Sequence, residues 1–200
     1  TDTLAMHAGI GSFVYDARRP FHPQRLVALL KCLAVKWGLP DSIGEEAMTE
    51  PLLDLSDETR SILRNSIVRS KGFCWLANSN RVAAYWSHAG KSFELKVFGS
   101  WWATLPRDQW PPEFVETILK DFDDPNHDES SSTSVGDRRQ AVVFIGPGLN
   151  NAKAQGLVSD ALNQCLLDND EWRMFLEQCN DQESLQRTFS SPLSATPVNM

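Results

Sequence analysis

Apolar residues alternate with polar ones from Ser12 to Ala17, placing Phe13, Tyr15 and Ala17 on one side, and this predicts a first strand. Arg18-Arg19-Pro20 closes it, and Phe21-His22-Pro23 opens a helix with proline at its first position, followed by Leu26, Leu29, Leu30, Leu33 and Trp37 at helical spacing. Gly38-Leu39-Pro40 stops that helix, and residues 41–57 read as an irregular polar excursion. A short helix over Glu58–Val68 leads through Arg69-Ser70-Lys71-Gly72 into Phe73-Cys74-Trp75-Leu76-Ala77, apolar on both faces as a central strand is. Asn78-Ser79-Asn80 turns the chain into a strand at Val82–Trp86, and Gly90-Lys91 turns it again into Phe93–Val97, which shows Glu94 and Lys96 to one side. After Trp101-Trp102 and three prolines comes a short helix over Glu113–Lys120, then a strand at Ala141–Ile145 and an amphipathic helix carrying Leu157, Ala161 and Leu162. Asp168 with Glu171 three residues on marks the start of one more helix.

This order predicts an α+β domain: a mainly antiparallel sheet of about five strands with helices packed mostly on one face. The domain is expected over residues 10–180, preceded by a linker remnant at 1–9 and followed by a disordered Ser-, Thr- and Pro-rich tail at 181–200. Because the chain opens on Thr1 rather than Met, it reads as cut or processed from something longer.

Charge sharpens this picture at one place. The 200 residues carry a net charge of −7, yet six acids and no Lys or Arg lie between Asp121 and Asp137, so the remainder is close to neutral. Residues 121–135 are therefore expected to form an acidic mobile loop. A net negative chain without a concentrated basic face is not a nucleic-acid binder. No run of apolar residues is long enough to span a membrane. Cys32, Cys74, Cys165 and Cys179 form no C-x-x-C pair and suit buried, reduced thiols in an intracellular compartment, cytoplasmic or organellar.

The chemistry-bearing motifs are missing. There is no G-x-x-x-x-G-K-[ST] phosphate cradle, no G-x-S-x-G and no H-E-x-x-H, and Gly146-Pro147-Gly148 is a strand-to-helix turn rather than a dinucleotide fingerprint. No catalytic or cofactor-binding residue is therefore assigned. Among the histidines, His22 suits a helix cap, His88 an exposed hairpin position, and His127 stands among Asp123, Asp124 and Asp128, a weak candidate set for a divalent ion. Trp101 and Trp102 are either a partner-binding anchor or the cover of a sheet edge. Arg18 and Arg19, Arg69 and Lys71, and Arg138 and Arg139 flank predicted strands. If the first strand runs antiparallel to the other two, all six gather at one end of the sheet as a docking site for an acidic surface.

Several segments together resemble the C-terminal domain of the CobW-like family of GTP-dependent metallochaperones, which handle zinc or cobalt and include nitrile hydratase activators. The matching pieces are Ser12-Phe13-Val14-Tyr15 with Arg19-Pro20-Phe21-His22-Pro23, Arg69-Ser70-Lys71-Gly72-Phe73, Trp86-Ser87, Trp101-Trp102-Ala103, and Gly136-Asp137-Arg138-Arg139-Gln140. The resemblance implies a non-enzymatic accessory domain whose partners are an N-terminal GTPase domain of the same protein and a client metalloprotein. GTP, magnesium and zinc or cobalt are implied for the full-length protein and none for this chain. The alternative is a free-standing protein-interaction module without a GTPase partner domain.

Overall fold

The computed structural model describes residues 9–33, 35, 52–122, 135–191 and 193. Five strands form one antiparallel sheet: β1 (Ile10–Ala17), β2 (Arg69–Cys74), β3 (Val82–Ala89), β4 (Ser92–Ser100) and β5 (Gln140–Pro147), in the spatial order β1-β5-β2-β3-β4. The last strand in sequence thus lies between the first two. The helices are α1 (Pro23–Cys32), α2 (Asp57–Asn65), α3 (Val115–Leu119), α4 (Ala152–Asn163), α5 (Asn169–Gln178) and α6 (Gln182–Thr188). This is the α+β architecture that the alternating and helical periods predict.

Alternation sets the two faces. Phe13, Tyr15, Trp86, Phe93, Val142 and Phe144 point to one side, where they meet Leu26, Leu29 and Leu30 of α1, Leu63 of α2 and Val158 and Leu162 of α4. Phe13 stacks on Phe144 at 5.4 Å between ring centroids, and Trp86 meets Phe93 edge-on at 4.9 Å. A fully buried ring such as Trp86 or Phe144 contributes about 2–3 kcal/mol of transfer free energy. A second cluster, with Trp75, Trp101, Phe175, Leu185 and Phe189, sits beyond the end of β2, where α5 and α6 pack; Phe73 and Ala83 of the opposite face reach it.

Local signals act where the pattern placed them. His22 caps α1, its Nδ1 accepting from the Gln24 amide at 3.3 Å with proline at the first helical turn. Asp168 and Glu171 close a reciprocal capping box on α5. Three expectations change. The central strand begins four residues earlier than its apolar run, at Arg69, and ends at Cys74. Beyond it, Trp75–Ala77 leave the sheet to bond with Phe21: the Phe21 amide donates to Trp75 O at 2.9 Å and the Ala77 amide to Phe21 O at 3.0 Å. His88 is buried at 1% exposure, not exposed, because the hairpin folds its side chain onto the core face between Ser70 and Gly90. The tail expected to be disordered from residue 181 contains α6, capped by Asp181, because Leu185 and Phe189 complete the second cluster. Residues 1–8, 41–51, 123–134, 192 and 194–200 of the expected linker, excursion, loop and tail lie outside the described residues.

The core face also holds two backbone-level constraints. Gly72 lies in β2 opposite Trp86 and Val142, and a Cβ there would sit 2.0 Å from the Ala141 carbonyl oxygen. His88 is held in its neutral form. Nε2–H donates to Gly90 O at 2.8 Å, leaving Nδ1 as acceptor from the Ser70 hydroxyl at 3.3 Å, while Ser70 accepts from Trp86 Nε1 at 2.7 Å. Burial pushes the His88 imidazole below its ordinary value of 6.5, against the smaller upward pull of the Gly90 carbonyl.

Two outcomes follow for urea melts. Gly72→Ala loses about 3 kcal/mol or fails to fold, because the clash is with backbone that cannot move aside without opening the β2–β5 ladder. Below about pH 6.5 the unfolded chain takes up a proton that the folded imidazole refuses, so stability falls as pH drops from 7.5 to 5. Burial lowers His22 in the same direction. The pH slope is shallower in a His88→Gln variant; an unchanged slope would assign the acid sensitivity elsewhere.

Candidate functional site

The six basic residues do not gather. β1 and β2 each run antiparallel to β5 and are therefore parallel to one another. Ala17 pairs with Gln140 at the start of β5, whereas Arg69 pairs with Ile145 near its end. Arg18, Arg19, Arg138 and Arg139 thus share one end of the sheet, and Arg69 and Lys71 enter from the other.

At the first end the guanidinium groups bond within the domain. Arg18 donates to Gly136 O at 2.9 Å, and Arg19 donates to Leu167 O at 3.1 Å while lying over the Trp172 ring. Arg138 donates to Asn80 O at 3.1 Å and Val135 O at 2.9 Å and stands 6.0 Å from the Trp75 ring centre. Arg139 pairs with the Asp121 carboxylate at 3.1 Å. Here the guanidinium forks satisfy carbonyls that leave the sheet, a task a compact ammonium performs less well.

The neighbouring motif residues form one interlocked joint. The buried Asp137 carboxylate accepts from the Trp102 and Ala103 amides, both at 2.9 Å, and so starts the 3-10 turn Trp102–Thr104. Gly136 has φ +67°, and a Cβ on it would lie 2.3 Å from the Ala103 Cβ. Trp101 is 5% exposed inside the second cluster, and Trp102 is half-buried and meets Trp110 edge-on at 6.2 Å. Trp101 therefore packs in the cluster beyond the end of β2, and Trp102 in a separate cluster with Trp110, Ile118 and Phe122. Gln140 is fully buried and its amide repeats a strand bridge: Oε1 accepts from the Trp75 amide at 3.1 Å, and Nε2 donates to Trp75 O and Arg19 O at 2.9 Å each.

The candidate ion set His127, Asp123, Asp124 and Asp128 lies outside the described residues. Among the described residues, no group of three or more His, Cys, Asp or Glu side chains is placed to hold a metal ion. Cys74 and Cys165 are poor ligands as they stand, since burial pushes both thiols well above their ordinary range. The polar cluster nearest to chemistry is His22, Arg25 and Glu171. Arg25 grips both Glu171 oxygens, and His22 Nε2 lies 3.8 Å from the same carboxylate. It ties α1 to α5.

The sheet face away from α1, α2 and α4 is different, and the sequence reading did not single it out. One register row across it reads Lys96, Tyr85, Phe73, Ala141, Asp16. The next reads Glu94, Ser87, Lys71, Val143, Val14. Phe98 leans onto Phe73 at 4.8 Å and Tyr85 at 6.2 Å yet remains 67% exposed, and Val14 is 65% exposed. The available signal was the alternation itself, which put Phe98 on the same side of β4 as Glu94 and Lys96.

With this geometry in place, comparison with known proteins is direct. Residues 10–166 match the family described as the cobalamin synthesis protein cobW C-terminal domain, and the chain belongs to that family. Among curated relatives it is similar to zinc-regulated GTPase metalloprotein activator 1 of Dictyostelium discoideum, 29% identical over 89% of this chain and 31% of that protein. It is also similar to a zinc chaperone of Mycobacterium tuberculosis, 23% identical over 89% of this chain and 36% of that protein. The chain thus spans about a third of the length of these relatives. No solved structure matches it.

Denaturant melts will separate the two adjacent arginines. Arg138→Glu loses about 3 kcal/mol, since it removes two charge-assisted bonds to buried-side carbonyls. Arg139→Glu loses about 1 kcal/mol or less, since its Asp121 partner is largely exposed. Equal losses would show that these bonds do not carry the difference.

Proposed function

We propose that this chain is the accessory C-terminal domain of a GTP-dependent zinc or cobalt chaperone, coupling nucleotide state to delivery of metal to a client metalloprotein. The observation that carries this reading is the family match over residues 10–166 combined with relatives about three times as long, one named a zinc-regulated GTPase metalloprotein activator and another a zinc chaperone. GTP, magnesium and the transferred metal belong in this reading to the part of the longer protein outside the chain. The described residues offer neither a phosphate cradle nor a cluster of ligating side chains. Among them no helix is long and apolar enough to cross a membrane.

Such a domain acts by stabilising one nucleotide state of its neighbour over another, and coupling of this kind is worth about 1–3 kcal/mol, or 5–150-fold in an equilibrium. A rigid sheet whose loops are tied down by Gln140, Asp137 and the arginines suits that task, because it transmits a docking event without deforming.

The test is made in the longer protein. Deleting residues 9–193 leaves the basal GTP hydrolysis rate within about twofold and reduces its response to zinc and client at least about fivefold. The 200-residue chain alone shows no micromolar GTP binding by calorimetry with magnesium. An unchanged response after the deletion, or tight GTP binding by the chain alone, overturns the reading.

A further inference from the structure

We propose that the open face of the sheet, centred on Phe73, Tyr85, Phe98 and Lys71, is the surface on which the GTP-binding part of the longer protein docks. This rests on the reading above and adds to it where contact is made. The six-arginine-and-lysine cluster that the sequence suggested is not that surface, because four of its members spend their donors inside the domain.

Three observations point to the open face. First, it exposes large apolar side chains among its polar ones. Phe98 and Val14 are two-thirds exposed, and the rings of Phe73, Tyr85 and Phe98 form a contiguous aromatic patch. Aromatic anchors grouped in this way are what a buried contact uses. Second, its charge is unbalanced at the centre. Lys96 is answered by Glu94 at 2.8 Å on the edge strand β4, whereas the side chains of Arg69 and Lys71, on the central strand, make no hydrogen bond or ion pair with a described residue. In a chain of net charge −7, two cations of the central strand with no carboxylate against them among the described residues fit a partner that brings carboxylates there.

Third, the mixed character selects the kind of partner. Obligate interfaces between separate chains are larger and more uniformly apolar, whereas contacts between domains of one polypeptide cover about 600–1,500 Å² and are more polar. A domain on the same chain sits at millimolar effective concentration and needs no tighter surface than this one. The chain accounts for only 31–36% of its relatives' length, so in them such a neighbour is at hand. The occupant is accordingly an apolar surface edged with Asp or Glu on the nucleotide-binding part. It meets the end of the face near Arg69 and Lys71 with its carboxylates and the end near Phe98 with apolar side chains.

The test reads proximity rather than activity. A Phe98→Cys variant is made both in the longer protein and in the 200-residue chain, and maleimide labelling at that position is followed by peptide mapping. Met174→Cys on α5, 42% exposed and on a helix rather than on the sheet, serves as the control. Labelling at position 98 is expected to be at least about tenfold slower in the longer protein, with no difference at position 174, and Lys71→Glu is expected to restore the fast rate. Equal rates at position 98 in the two proteins overturn the proposal. So does protection that appears in the 200-residue chain alone and deepens with its concentration, which assigns the face to a second copy. A longer protein that binds no GTP yet protects position 98 refutes the functional reading and leaves the docking surface standing; one that binds GTP and labels freely does the reverse.

Discussion

The sheet exists only because β5 arrives between β1 and β2. Neither of those strands pairs with the other, and Gln140 at the head of β5 reaches Arg19 across 121 residues of chain. Until β5 is in place, β1 has no sheet partner and β2 has only the hairpin of β3 and β4. Loop-closure entropy must be met before these non-local ladders reward it, which makes this pairing the slow and decisive event in folding. The geometry of its close approach explains two otherwise unrelated residues. Gly72 lets the β2 backbone come against Ala141 and Val142, and Gln140 supplies side-chain bonds where β2 has already turned away toward Phe21.

The same constraint accounts for the residues that carry the family resemblance. Phe21 and His22 thread between two other backbone segments, with the His22 amide donating to Cys165 O at 2.7 Å and the Leu167 amide donating to Pro20 O at 3.0 Å. Asp137 starts the turn at Trp102, and Arg138 ties the entry of β5 to Asn80. These motifs are joints of the fold rather than reacting groups. A catalytic residue must present an unsatisfied group to a ligand, whereas the polar side chains of Asp137, Arg138, Arg139 and Gln140 are satisfied within the domain. Function in such a domain is carried by surface, and the sheet face away from α1, α2 and α4 is where surface chemistry is left over.

Electrostatics divides accordingly. The acidic residues are concentrated between Asp121 and Asp137, and the cations at the β1 exit and β5 entry are absorbed by carbonyls and by Asp121. Guanidinium groups used this way fix loop positions, so their charge is spent on architecture. Arg69 and Lys71 escape this fate because β2 is central, with Ser87 and Ala89 on one side and Val143 and Ile145 on the other, none of which carries a carboxylate.

Much of the fold was legible in the sequence by itself. The period-two runs at Ser12–Ala17 and Phe93–Val97 identified strands and their buried sides, the leucines after Pro23 marked the core face of α1, and Asp168 with Glu171 marked the start of α5, because these signals are local and each residue's neighbours determine them. Helix α6 was legible in principle, through Asp181 followed by Leu185 and Phe189 at helical spacing, but its polar composition masked it. The tertiary structure alone decided the strand order. With β5 inserted, β1 and β2 become parallel, and six cations that would gather if β1 ran antiparallel to both β2 and β5 are divided between opposite ends of the sheet. It also buried His88, since only cross-strand register places Ser70 beside it, and it left Phe98 and Lys71 on an uncovered face, since which side of a sheet the helices choose is settled by contacts between distant segments.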